Sequence, residues 1–467
     1  MGPVRAVAVA LALAALLPPS AAEPARLPPP HVAVRPHHAL PAGRAALPQP
    51  PDTAGCLRLF GIRCYRPAQV QRAYDVQPLH AAGLDGRGRT IVIVVAFGSP
   101  TIEHDLGQFD RTFGLPDPPF LRVIAPAGPP PSFDGDDPDM EGWAEETTLD
   151  VEASHLMAPG AGILVVTTPV SETEGLQGFP EIVQAERFVL DHDLGDVISQ
   201  SFGATEETFP TSRSLLGLRG AFELARRRGV TVLAASGDDG ATAPLLDGSC
   251  CYPRPVVSWP ASDPLVTSVG GTQLHLDALG RRTRPDTVWN DSDVALGADP
   301  IDAATAGAGG GGTSSVFPRP SFQAGVARAV GAARGTPDVS LSAAIDGSLV
   351  VYWSFSGGRA TGGYHLIGGT SEATPLLAGL VAIADQLRGG RVGWINPALY
   401  GMAVSGAEAG IVDVRSGDNG DLFVDGRGRT VAVPGAVAGP GYDLASGLGT
   451  VDAPRFCAAL AGVRLTG

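Results

Sequence analysis

The sequence predicts an α/β fold with a mostly parallel central sheet and helices on both faces. Three observations lead there. Five segments are apolar from end to end: Thr90–Phe97, Gly162–Thr168, Asp196–Phe202, Gly229–Ala235 and Leu265–Gly270. A strand apolar on both faces needs cover on both, which is the habit of parallel sheets. Helix-length segments alternate with them at Glu145–Ala158, Pro180–His192, Arg213–Arg228 and Thr374–Arg388, supplying the crossovers that parallel strands require. The chain has 467 residues, 44% hydrophobic and 17% charged, so a large core can form. One large domain over 67–467 is the simplest reading.

The preceding residues read differently. Arg5, the apolar run Ala6–Leu17 and the small residues Ser20-Ala21-Ala22 have the layout of a secretory signal, assigned to 1–22. That run is too short for a membrane span, and no later stretch is long enough, so a secreted protein without a membrane span is expected. Residues 23–66 begin as a proline-rich stretch, Pro28-Pro29-Pro30 to Pro50-Pro51, expected to be an extended linker or a short pro-segment remnant. Five cysteines permit disulfides in an exported chain. Cys56 and Cys64 are close enough to clip a short loop, whereas vicinal Cys250 and Cys251 are not expected to bond to each other. The stretch Ala304–Ser315 is Gly-rich and reads as a mobile or ligand-bordering loop.

Charge excludes several functions. The formal net charge of −15 argues against nucleic acid, whose phosphates call for a basic surface. No lysine occurs, which removes Schiff-base chemistry, the phosphate-loop lysine and a Ser-Lys dyad.

The residues left for chemistry are a serine and three carboxylates. Gly368-Gly369-Thr370-Ser371 leads into Glu372-Ala373-Thr374-Pro375 and an apolar helix, placing Ser371 on a Gly-led turn at a helix start, with Pro375 in its first turn. An N-cap serine is the plain alternative. None of the histidines His155, His192 and His365 lies in a motif for the base of a serine nucleophile. Glu146 and Asp150 are four apart, hence neighbours on one helix face that continues through Ala153 and Met157. A partly buried like-charged pair of this kind shares a proton. His155 stands about 140° round the helix from Asp150, poorly placed to join it. Asp238 in Ser236-Gly237-Asp238 closes a buried strand, where α/β sheets place their sites; protonated, it can donate to an oxyanion. Its alternative is an Asx turn.

Taken together these strings resemble the sedolisins, serine-carboxyl peptidases with a subtilisin-like fold. Glu146 to Asp150 resembles that family's E-x-x-x-D pair, Ser236-Gly237-Asp238 its SGD motif, and Gly369-Thr370-Ser371 with Pro375 its nucleophile motif. Val197–Gly203, Trp259–Pro264, Val269–Thr272 and Pro337–Ser340 fit as well. The resemblance runs from about residue 67 to the C-terminus. It implies Ser371 as nucleophile, Glu146 as base, Asp150 as its orienting partner and Asp238 as oxyanion donor. True subtilisins fit less well: Val94–Gly98 lacks their aspartate, their histidine motif is missing, and Asp238 stands where they use asparagine.

The resemblance also implies one structural calcium, Ca2+, near the C-terminus. Asp413 and Asp443 would supply charge, and the carbonyls of Val414, Gly439 and Gly441 further oxygens, in keeping with the ion's need for about six or more. The implied function is a secreted, acid-acting endopeptidase. The alternatives are a tripeptidyl aminopeptidase on the same scaffold and a catalytically silent peptide-binding homologue. A peptide or protein substrate is the expected partner, with a monomer sufficient for the task. Activity is expected below about pH 5, where a glutamate base stays usable and histidine is protonated.

Overall fold

The computed structural model describes Gly2, His37–His38 and residues 46–291, 307–356 and 362–463. The proposed signal segment, Gly2 apart, lies outside the described residues. So do most of the proline-rich stretch, residues 304–306 of the Gly-rich segment, and the interior of Asp291–Gly307.

A short strand β1 (His37–His38) precedes helix α1 (Thr53–Phe60) and strand β2 (Cys64–Tyr65). The expected Cys56–Cys64 disulfide joins α1 to β2. The central sheet is built from β3 (Thr90–Ala96), β4 (Leu121–Ile124), β5 (Gly162–Thr168), β6 (Val197–Gln200), β7 (Thr231–Ala235), β8 (Thr267–Gln273), β9 (Thr287–Val288) and β10 (Val339–Ser342). Its order is β9-β8-β7-β6-β3-β5-β4, with β10 also on β8; every pairing is parallel except β8 with β9. A second sheet, ordered β1-β12-β11-β2, holds β11 (Ser348–Trp353) and β12 (Gly363–Gly368), the latter leading straight to Ser371. β1 pairs antiparallel with β12, His37 opposite Gly368. The segment before residue 67 is thus partly built into the domain's sheets.

The main helices are α2 (Ile102–Phe113), α3 (Pro138–Met157), α4 (Phe179–Asp191), α5 (Gly220–Arg228), α6 (Thr370–Arg388) and α7 (Ala453–Ala461); α2 packs on α3 and β11, and α7 on α6. α3 and α6 pack on each other and on the strands; α4 and α5 pack on each other, with α4 against β3 and β5 and α5 against β7. The sheet is therefore sandwiched, as its apolar strands require. Val92, Ile93, Val94, Val165 and Val166 are wholly buried.

α3 and α6 frame the site, and both are buried round almost their whole circumference. α3 begins earlier than the sequence suggests: Asp137 caps it, its Oδ1 accepting from Asp139 N at 2.9 Å, and Pro138 takes the first turn. The two helices touch at Gly379, where a Cβ would meet Met157 Cβ at 2.6 Å and Ser154 O at 3.0 Å. The predicted helix 213–228 is in fact two, Ser212–Leu216 and α5, parted at Gly217–Arg219. A second correction concerns the vicinal cysteines: Cys250 and Cys251 are joined to each other, leaving Cys457 as the buried free thiol among the described residues.

Candidate active site

Four side chains from three parts of the fold meet between α3, α6 and the end of β7. Glu146 and Asp150 project from α3, Ser371 is the second residue of α6, and Asp238 lies in the turn after β7. All are buried, at 2, 0, 0 and 1% exposure in that order. The i, i+4 spacing of Glu146 and Asp150 would also suit a solvated acidic helix face, and this burial rules that out.

α6 begins at Thr370, so Pro375 stands inside the helix and not in its first turn. Proline has no N–H to return to the carbonyl four residues before it, and that carbonyl belongs to Ser371. The Ser201 hydroxyl, just past β6, approaches this oxygen at 3.5 Å and donates to Asp150 Oδ1 at 2.7 Å. Ser201 therefore ties the Asp150 carboxylate to the backbone of Ser371. Sequence reasoning gave it no role; its place at a strand end was the available cue.

Burial pushes Glu146 well above the ordinary carboxylate range, and the neighbouring Asp150 charge pushes it further; the hydroxyls of Ser371 and Ser201 oppose both. Asp150 also stands well above its ordinary value because it is buried, opposed by Ser201 and Glu146. Two buried carboxyls so placed disfavour carrying two charges at once and so favour sharing a proton. Ser371 Oγ and both Glu146 oxygens are buried without a closed hydrogen bond, although the hydroxyl is near enough to influence the carboxyl. Catalytic contacts commonly close only around substrate.

Asp238 is anchored to α6, the helix that carries Ser371. Its Oδ1 accepts from Thr370 N at 2.8 Å and from Thr370 Oγ1 at 2.6 Å. With that oxygen held as acceptor, a proton on this carboxyl sits on the other one. Thr370 is a second residue to which sequence reasoning gave no role. The Gly-rich stretch supports the same turn and is buried over residues 307–312: Ala308 N donates to Asp238 O at 2.9 Å and Gly310 N to Gly237 O at 2.7 Å. A Cβ on Gly310 would meet Ser236 O at 2.3 Å, so only glycine permits this approach.

His155 takes no part. Its Nε2 lies 2.9 Å from Pro116 O and 3.2 Å from Asp110 Oδ1, a wholly buried structural contact. Near the C-terminus, Gly441 N donates to Asp413 Oδ2 at 3.1 Å, so the two segments expected to hold calcium converge. Asp413 Oδ1 is buried with no partner, while Oδ2 pairs with Arg415 at 2.6 Å. Asp443 is more occupied: Oδ2 accepts from Gly439 N at 3.0 Å and Oδ1 from Ser446 N at 2.8 Å.

The sequence profile of the subtilase family matches residues 144–399, a span that contains Glu146, Asp150, Asp238 and Ser371. The chain belongs to the subtilase family. Within it, this subtilase is similar to the sedolisins. It is 34% identical over 406 residues to kumamolisin from Bacillus sp. (strain MN-32), covering 85% of this chain and 63% of that protein. It is 28% identical over 402 residues to sedolisin from Pseudomonas sp. (strain 101), covering 84% and 61%. With tripeptidyl-peptidase 1 of Macaca fascicularis it shares 31% over 381 residues, covering 76% and 57%. The chain thus spans about three fifths of the length of these curated relatives. The solved structure of Pseudomonas sedolisin, a serine-carboxyl proteinase complexed with two molecules of pseudo-iodotyrostatin, matches with a TM-score of 0.69 at 27% identity. That match covers 86% of this chain and 99% of the other. The subtilisin-like α/β fold and the sedolisin kinship expected of this subtilase both hold.

Proposed function

We propose that this chain is a secreted, acid-acting serine-carboxyl endopeptidase. The observation that carries the reading is the burial of Glu146 and Asp150 against Ser371, with Asp238 tied to the first residue of the same helix. Glu146 takes the Ser371 hydroxyl proton as Oγ attacks the peptide carbonyl. Asp150, held by Ser201, fixes the base and shares its charge. The developing oxyanion meets a proton on Asp238 and the N–H groups of the α6 N-terminus. Collapse expels the amine with the proton from Glu146 and leaves an acyl-enzyme; water, activated by the same carboxylate, releases the acid. Relatives named kumamolisin and sedolisin support this reading. Relatives named tripeptidyl-peptidase 1 favour a second one, removal of tripeptides from a free amino terminus. Digestion of a long N-blocked peptide separates the two: internal cleavage supports the first, and cleavage only after the block is removed supports the second.

Secretion rests on the Arg5, Ala6–Leu17 and Ser20–Ala22 pattern. Among the described residues no helix is long and apolar enough to cross a membrane. The chain is proposed to act as a monomer on peptide or protein substrates. Calcium fits the C-terminal donors: an orphaned buried oxygen on Asp413, a second carboxylate on Asp443, and loops already drawn together through Gly441. Asp413, Asp443 and the carbonyls of Val414, Gly439 and Gly441 would hold it. When bound, the ion supplies charge compensation and a cross-link between the two segments.

A further inference from the structure

A second cluster of donors lies one residue beyond the oxyanion donor. Asp239 adjoins Cys250 and Cys251, and the candidate ligand atoms of the three lie within 4.8 Å of one another. Among the described residues this is the one group of three or more His, Cys, Asp or Glu side chains drawn that close. Cys251 is buried in a small cluster with Ala241, Phe423 and Val433, which fixes its position; Cys250 is exposed and reachable. The Cys251 sulfur lies 3.9 Å from Asp239 Oδ1. The surroundings are acidic, with Asp238, Asp421 and Glu174 all in electrostatic reach of Asp239. In the oxidised state the sulfurs are bonded to each other and offer no thiolate.

We propose that reduction of Cys250–Cys251 opens a binding site for one soft divalent cation, held by both sulfurs and the Asp239 carboxylate, whose occupancy restrains the adjoining oxyanion turn. The steps balance. A small dithiol gives two electrons and two protons to the disulfide, leaving two thiols here and a cyclic disulfide on the reductant. The cation then displaces the two thiol protons, and the proton of Asp239 where that carboxyl carries one, to solvent, and water completes its shell. Two sulfurs with one carboxylate favour a soft or borderline ion such as cadmium or zinc over calcium or magnesium. The site's coupling to activity rests on the proposed peptidase reading, because Asp239 follows Asp238 directly; the binding itself does not.

The test uses the full chain, reduced with dithiothreitol, freed of reductant and exposed to cadmium chloride. Elemental analysis after desalting is expected to find one cadmium per reduced chain, with thiolate-to-cadmium absorption in the ultraviolet. With calcium present to keep the C-terminal site filled, the oxidised chain and a Cys250→Ser/Cys251→Ser double variant, which keeps Cys56, Cys64 and Cys457, are expected to take up no cadmium. If that variant fails to fold, the reduced chain alkylated at exposed thiols serves in its place. Asp239→Asn is expected to weaken binding at least tenfold. No uptake by a chain whose two new thiols have been titrated overturns the site, and equal affinity in Asp239→Asn overturns the three-donor arrangement. Loading is expected to suppress peptide hydrolysis, with a competing dithiol that takes up cadmium and leaves calcium restoring it. Full hydrolysis by the loaded chain overturns the coupling and leaves the binding result standing, whereas a metal-free chain inactive in every state speaks against the peptidase reading alone.

Discussion

At the scale of single residues, the site works by taking carboxyls out of water. Burial raises Glu146 and Asp150 and leaves them to share a proton, something exposed side chains would not do. Ser371→Ala, Glu146→Ala, Asp150→Ala and Asp238→Ala are each expected to cut turnover by a factor on the order of a thousand or more with the melting transition retained. Because the groups act as a unit, the Ser371/Glu146 double variant should be little worse than Ser371→Ala, as single-turnover assays would show. Ser201→Ala removes the 2.7 Å donor to Asp150 and is expected to cost about 1–3 kcal/mol, read as a drop in kcat with a shifted pH profile. An unchanged profile would deny Ser201 its positioning role. His155→Ala should keep the profile and lose stability instead, since it strands the buried Asp110. The roles of the four catalytic side chains are proposals that the motifs already suggested. Ser201 and Thr370 lie inside the quoted motif strings, but a serine or threonine carries no charge or periodic signature of its own role; only the folded packing brings them onto Asp150 and Asp238.

At the scale of elements, the alignment of the proposed catalytic groups rests on how closely α3 and α6 approach. Gly379 permits that approach, with Met157 and Ser154 directly opposite. Gly379→Val places carbon inside contact distance, so the helices must part or shift. An overpacking cost of about 1–3 kcal/mol in thermal unfolding is expected, together with reduced turnover, because Glu146 and Asp150 move with α3 and Ser371 with α6. A variant that melts and turns over as before would show that the crossing does not set the alignment. The strands were legible in the sequence because each is apolar on both faces. Boundaries were less so: α3 starts at Pro138, where a polar first turn hides the helical period, and a break at Gly217–Arg219 divides what reads as one helix. Pro375 misled for a physical reason. Proline signals a first turn on average, but here it frees the Ser371 carbonyl from inside the helix.

At the scale of the whole molecule, the fold is suited to acid. Burial lifts Glu174 and Glu186 to about 8, Asp385 to about 7 and Asp421 to about 6, all above their unfolded values. A raised carboxyl favours the folded state while protonated. Its stabilising contribution is fully present below about pH 4 and lost as pH climbs through these folded values. Thermal unfolding is therefore expected to give a melting temperature that falls from about pH 4 towards about pH 8; a rise over that range would contradict the burial argument. Chelation should lower the melting temperature and speed self-digestion, and Asp443→Ala should reproduce both; identical melting with no metal found by elemental analysis would refute the calcium site. The overall architecture was readable because alternating apolar strands and helices admit few arrangements. The buried backbone at 307–312 was not, since it depends on contacts with segments distant in the chain. Nor was the Cys250–Cys251 link, because adjacent cysteines are ordinarily held apart by the backbone between them.

In the proposed mechanism a buried carboxyl pair, and not histidine, drives a serine nucleophile. Hydrolysis of a long, internally quenched, N-blocked peptide, followed across pH with the wild type and Ser371→Ala, tests it most directly. A bell-shaped profile is expected, with its maximum clearly on the acid side of neutrality, where Glu146 and Asp150 share a proton and Asp238 can donate one, and no hydrolysis by Ser371→Ala. A maximum at or above neutral pH, or undiminished cleavage by Ser371→Ala, would contradict it.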